Sequence, residues 1–111
     1  MTPKIFIIGS EKYRTKMRDF ANICQRAGYM VRLPAFDSDA PDEIGICTQN
    51  LEGIKWADEV HIFWDNRSIG TIFDFGMCFA LGKKVIIGYI ETKTFEKLIR
   101  KYEIIKMQKE L

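Results

Sequence analysis

The chain has one histidine, three cysteines and three prolines among its 111 residues, and each shortage excludes something. Cys24, Cys47 and Cys78 are odd in number, far apart and without a C-x-x-C pair, which argues against a disulfide framework or a zinc site. Three buried free thiols are expected instead. His61 lies within the apolar run "EVHIFW" and reads as a packed side chain rather than a catalytic one. No spacing of His, Cys, Asp and Glu suggests a metal, and no cofactor is implied.

Long apolar runs are also missing. None approaches the roughly 20 residues of a membrane span, and "MTPKIF" carries no signal-peptide pattern, so no membrane partner is expected and the cytoplasm is the expected location. Nor is there an excess of one charge: 17 Lys and Arg against 15 Asp and Glu give +2, scattered along the chain, so polymeric nucleic acid is not an expected partner. The phosphate loops G-x-x-x-x-G-K-[ST] and G-x-G-x-x-G are absent, which removes P-loop and dinucleotide chemistry. "GSEKYRT" lacks the hydroxyl run of a flavin phosphate site. Asp65 ends the third strand, but Ile7, Ile8 and Gly9 supply none of the acidic residues that a phospho-accepting receiver needs.

What is present alternates. "KIFIIGS" reads as a strand buried on both faces, and residues 11–27 as a helix with Met17, Phe20, Ala21 and Cys24 inward and Gly28 as its stop. "YMVRL" is a short second strand ended by Pro34, and "PAFDSDAPDEIG" a long loop. A helix with Ile44, Cys47, Leu51 and Ile54 inward leads to the strand "EVHIFW". Residues 71–81 form a third helix, "KVIIGYI" a fourth strand and residues 94–107 a closing helix. Trp56 and Trp64 read as helix–sheet packing. The expected fold is one α/β domain over residues 1–111, a small doubly wound parallel sheet of four to five strands with helices on both faces. Ligands of such folds bind beyond the carboxyl ends of the strands, where strand order reverses.

One of those ends carries "DNRSIGTIFDFGMCF". Gly70 allows a ligand close to the backbone of a helix start, and Asp74 sits among apolar neighbours within about a turn of it, where the helix dipole favours an ionised carboxylate. Asp74 suits a nucleophile as well as a helix-start residue satisfied by local N–H groups. Arg67, beside Ser68 at the strand end, suits either a phosphate partner or a solvated loop cation.

The stretches "NLEGIKWADEVHIFW", "SIGTIFDFGMCFALGKKVIIGYI" and "IFIIGS" together resemble the nucleoside 2-deoxyribosyltransferase family, including its 2'-deoxynucleoside 5'-phosphate N-hydrolase branch, over about three quarters of the chain. The resemblance implies a compact Rossmann-like domain that breaks the N-glycosidic bond of a deoxyribonucleoside or its monophosphate through a carboxylate in a G-x-x-x-E-x-G context, met here by Gly70, Asp74 and Gly76. It gives Asp74 the nucleophile's place, Asn50 that of an assisting Asp, and Phe6 that of a positioning Tyr. Ser68, Gly9 and Ser10 match residues next to the sugar and 5'-phosphate, with Asp65 and Gly70 lining the same site. Three chemical positions depart from the family pattern: Asp for Glu at 74, Asn for Asp at 50, Phe for Tyr at 6. Asp is one methylene shorter than Glu, and a displacement of about 1 Å costs about a hundredfold in rate. Two classes of function follow, a glycosyl-transferring or hydrolysing protein and a nucleotide-binding module without the chemistry. Self-association into a homodimer or larger homo-oligomer is expected from the resemblance and from the helix "TIFDFGMCF", which is apolar all round.

Overall fold

The computed structural model describes residues 2–36, 42–91 and 95–110. β1 (Lys4–Gly9) and β3 (Glu59–Trp64) each bury four consecutive residues, as strands covered on both faces must. β2 (Met30–Arg32) and β4 (Lys84–Ile90) flank them, and the sheet runs β2-β1-β3-β4 with every pairing parallel. The chain steps outward from β1 to β2 and returns past β1 to β3. Strand order therefore reverses between β1 and β3, where a doubly wound sheet opens its crevice.

Side-chain alternation sorts the two core layers. Ile5, Ile7 and Phe63 face α1 (Arg14–Arg26), which contributes Met17, Ala21 and Cys24. Phe6, Ile8, Val60 and Ile62 face α2 (Glu43–Trp56) and α3 (Ile69–Ala80), which contribute Ile54 and Cys78. A single 3-10 turn, Glu11–Tyr13, precedes α1 where one helix from residue 11 was expected. Asp42 caps α2 by accepting the Gly45 N–H at 2.6 Å, so Glu43 to Gly45, expected in the loop, are helical. Residues 37–41 of that loop lie outside the described residues.

The inward face of α2 differs from the expected one. Ile44 is 80% exposed, and the buried residues are Asn50, Gly53 and Ile54. Phe6 packs directly on Gly53, where any β-carbon would collide with its ring. Cys24 and Cys78 are buried as expected, whereas Cys47 is only half-buried. Trp56 and Trp64 pack against the α2/α3 layer. His61 is packed beside Phe20 on the α1 side, its Nε2 2.9 Å from Glu59 Oε1, and this hydrogen bond holds the Glu59 carboxyl below its ordinary pKa. α4 (Phe95–Glu110) closes the chain. Among the described residues no helix is long and apolar enough to cross a membrane.

Candidate active site

β1 and β3 end side by side, with Gly9 opposite Phe63 and the Ser10 N–H donating to the Phe63 carbonyl at 3.3 Å. The chain leaving β3 turns at once into α3. Asp65 makes the turn: its Oδ1 accepts the N–H of Arg67 at 3.0 Å and of Ser68 at 2.9 Å. Burial alone would raise the Asp65 pKa, but these amides and Lys12 together hold it below the ordinary value. Asn66 takes a left-handed conformation, φ 63°, and its side-chain amide donates to the Glu91 carbonyl. The Glu91 carboxylate in turn receives the Tyr13 hydroxyl and the Lys12 ammonium, the latter at 2.8 Å. Burial first, and this bond second, push the Tyr13 pKa up to about 12. Lys12 is thereby committed to Glu91 and Asp65, and the exits of β1, β3 and β4 are tied together.

In front of this frame lies a pocket of about 480 Å³, within the usual range for small-molecule sites, walled by α2, the start of α3 and the exits of β1 and β2. Gly9, Ser10, Asn50, Ser68, Gly70 and Asp74, read from the sequence as one site, all line it. A β-carbon on Gly70 would meet no atom within 4 Å, so the protein's own packing does not require glycine there. The first turn of α3 holds no acidic residue and the Ser68 hydroxyl makes no capping bond. The first N–H groups of a helix have no partner within it, and Ser68, Ile69, Gly70 and Thr71 at this helix start line the pocket.

Three expected residues are elsewhere. Phe6 lies beneath the pocket, because strand alternation turns it onto Gly53 in the α2/α3 layer. Asp65 is occupied in building the turn, and Arg67 is exposed on its outer side; neither lines the pocket.

Asp74 is the sixth residue of α3, beyond the first turn, and shares the helix's inner face with Thr71 and Cys78. It is 6% exposed. Burial works against the ionisation expected from the helix dipole: it pushes the Asp74 pKa up to about 7, with a hydrogen bond from Asn50 pulling the other way. That bond runs from Asn50 Nδ2 to Asp74 Oδ2 at 3.4 Å. Asn50 is pinned from its other side, its Oδ1 accepting the Ala35 N–H at 2.8 Å and its Nδ2 donating to the Ala35 carbonyl at 3.3 Å. The orientation of the amide is thus fixed, since reversing it would set like against like at Ala35. Both Nδ2 hydrogens are spent within the protein, leaving none for a nucleobase.

The sequence reading missed Glu43, Ile46 and Cys47, which line the pocket with Asn50 at helical spacing. The stripe 43, 46, 47, 50 was the available signal, and its mixed polarity hid it. Phe36, at the exit of β2, adds an aromatic wall with the Arg14 guanidinium 4.6 Å from its ring centre. Thr71 also lines the pocket, its buried hydroxyl having no hydrogen-bond partner among the described residues.

No protein-family model matches the chain, and no curated protein matches it. Among solved structures it is similar to that of a CMP N-glycosidase from Clostridium botulinum, BcmB, with a TM-score of 0.59 and 24% sequence identity over 87% of this chain and 77% of that chain. At that identity the likeness is one of fold: this chain shares the α/β architecture of a nucleotide N-glycosidase.

Proposed function

We propose that the protein cleaves, or transfers at, the N-glycosidic bond of a nucleoside or nucleoside 5'-monophosphate, in the manner of the nucleoside 2-deoxyribosyltransferase family, with Asp74 as nucleophile. The observation that carries the reading is a buried carboxylate held by Asn50 at the wall of a pocket that opens where strand order reverses. The sequence resemblance and the fold shared with a CMP N-glycosidase support it.

In the ionised form an Asp74 oxygen attacks the anomeric carbon as the bond to the base breaks. The base leaves with the electron pair and takes a proton from water. A water molecule or the nitrogen of a second base then attacks the same carbon, releases the Asp74 carboxylate and gives its proton to the hydroxide left when the first base was protonated. Neutral Asn50 keeps a second negative charge away from Asp74 and fixes the attacking oxygen. Ser10, Ser68 and the helix start of α3 suit the 5' end of the sugar, hydroxyl or phosphate. The free cysteines fit a reducing cytoplasmic setting.

A binding module without turnover is the second reading, favoured by the burial of Asp74, which pushes its pKa up to about 7 and so keeps about half of the carboxyl protonated, and hence not nucleophilic, at pH 7. Incubation with a panel of deoxynucleosides and their 5'-monophosphates at pH 8, followed by chromatography for free base, separates the two. Base release supports the glycosidic reading; ligand binding without release supports the module.

A further inference from the structure

The charge of the pocket lining is one-sided. Glu11, Glu43 and Asp74 line it, and among the described residues no lysine, arginine or histidine does. Residues 37–42, which lead in sequence from Phe36 to Glu43, contain neither lysine nor arginine. The other polar side chains of the lining are neutral: the amide of Asn50 and the hydroxyls of Ser10, Ser68 and Thr71. Thr71 is 1% exposed, and a neutral polar group of a ligand would supply the partner that its hydroxyl lacks among the described residues.

The cations of this edge are engaged elsewhere. Lys12 pairs with Glu91 at 2.8 Å and lies 3.9 Å from Asp65, which itself builds the turn after β3. Arg67 is exposed on the outer side of that turn. Arg14 pairs with Glu11 at 3.0 Å and sits over the Phe36 ring, 4.6 Å from its centre. Of that pair it is the carboxylate, not the guanidinium, that lines the pocket. Glu11 follows Ser10 directly after β1, so its charge stands beside the place given above to the 5' end of the sugar. The start of α3 favours an anion, but a helix end acts as about half a charge, against the full charge of a carboxylate.

We propose that the pocket selects nucleosides with a free 5'-hydroxyl over their 5'-monophosphates, and that Glu11 is the residue that discriminates between them. The inference rests on the nucleoside pocket proposed above, and not on turnover in it. A 5'-hydroxyl donates its hydrogen to the Glu11 carboxylate. A 5'-phosphate, whose second pKa is about 6, is a dianion at pH 8, has no proton to donate and meets a like charge. Repulsion of the wrong ligand gives specificity without any added contact to the right one.

The test is calorimetry at pH 8 with deoxyadenosine, deoxycytidine and their 5'-monophosphates on the full-length wild type, Glu11→Gln and Glu11→Asp, with base release followed by chromatography in the same mixtures. The wild type should bind each nucleoside about tenfold or more tightly than its monophosphate, and where base is released kcat/KM should show the same preference. Raising the salt should narrow that ratio, because screening weakens the repulsion. Glu11→Gln keeps the shape and loses the charge, so it should shrink the ratio by about threefold or more, chiefly through tighter monophosphate binding, and Glu11→Asp should restore it. A merely structural role for Glu11 would instead weaken both ligands alike. Should Glu11→Gln fail to fold, Glu43→Gln removes another carboxylate of the lining and should move the ratio in the same direction. Monophosphates bound as tightly as nucleosides, or a ratio unmoved by the variants, overturn the proposal and leave the glycosidic reading standing. Selective nucleoside binding without base release supports the proposal and contradicts the glycosidic reading, while binding of neither ligand overturns both.

Discussion

Asn50 holds Asp74 with the only polar side-chain contact the carboxylate receives among the described residues, and is itself clamped at both ends to the backbone of Ala35. The acid is thus positioned from the loop after β2 rather than from its own helix.

Asn50→Asp, which restores the residue found in the resembled family, should therefore reduce function. An aspartate cannot donate to the Ala35 carbonyl, and two carboxyl groups at this spacing cannot both ionise at low cost. Base release at pH 7 should fall by about tenfold or more, and the rise of rate with pH should move to higher pH. Denaturant unfolding should show a loss of about 1–3 kcal/mol from the unpaired backbone group.

The Asp74 pKa makes stability depend on pH in a definite direction. Its folded value of about 7 lies above the unfolded value near 4, so between the two the folded state binds more protons. The stabilisation is complete below about pH 4 and is lost as pH rises through 7. Asp74→Asn removes the titration, so at pH 8 the variant should be more stable than wild type by about 2–4 kcal/mol, shrinking toward zero near pH 4. Urea titrations of both proteins at the two pH values measure the difference.

Much of this arrangement was legible beforehand. The four strands, their parallel order and the opening between β1 and β3 follow from short apolar runs alternating with amphipathic segments, since a strand covered on both faces has no choice but to be apolar. Gly9, Ser10, Ser68, Gly70 and Asp74 came together because strand ends and helix starts meet at that edge. The face of α2 was not legible: part of it borders a pocket, so Glu43 and Asn50 stand where hydropathy expects apolar residues, and the reading slid onto Ile44. The raised pKa of Asp74 was hidden for a related reason, since it depends on how deeply α3 is buried and not on distance from its start. Phe6 was assigned to the right strand, but only the packing on Gly53 shows that it lies under the site.

That placement gives a further expectation. Phe6→Tyr would drive a hydroxyl toward Gly53 in an apolar layer, where it lacks a partner. The variant should lose about 1–3 kcal/mol in thermal or urea unfolding and gain no activity, although the resembled family carries Tyr at this place.

Gly70→Ala should separate binding from folding. With open space around the new methyl group and a helical backbone to favour it, stability should hold or rise by up to about 1 kcal/mol. The same methyl stands in the pocket wall, so ligand affinity, read as KM or by calorimetry, should fall while unfolding is unimpaired.

The central claim is that Asp74 attacks the sugar, and the most direct measurement is base release from deoxynucleosides and their 5'-monophosphates by wild type, Asp74→Asn and Asp74→Glu at matched folded concentration between pH 6 and 9. Release by wild type should climb through about pH 7 as the carboxyl ionises, Asp74→Asn should give none above background despite retained binding, and Asp74→Glu should match or exceed wild type where the pocket takes the extra methylene. Equal release by wild type and Asp74→Asn contradicts the nucleophile, and no release from any of the three contradicts the glycosidic activity itself.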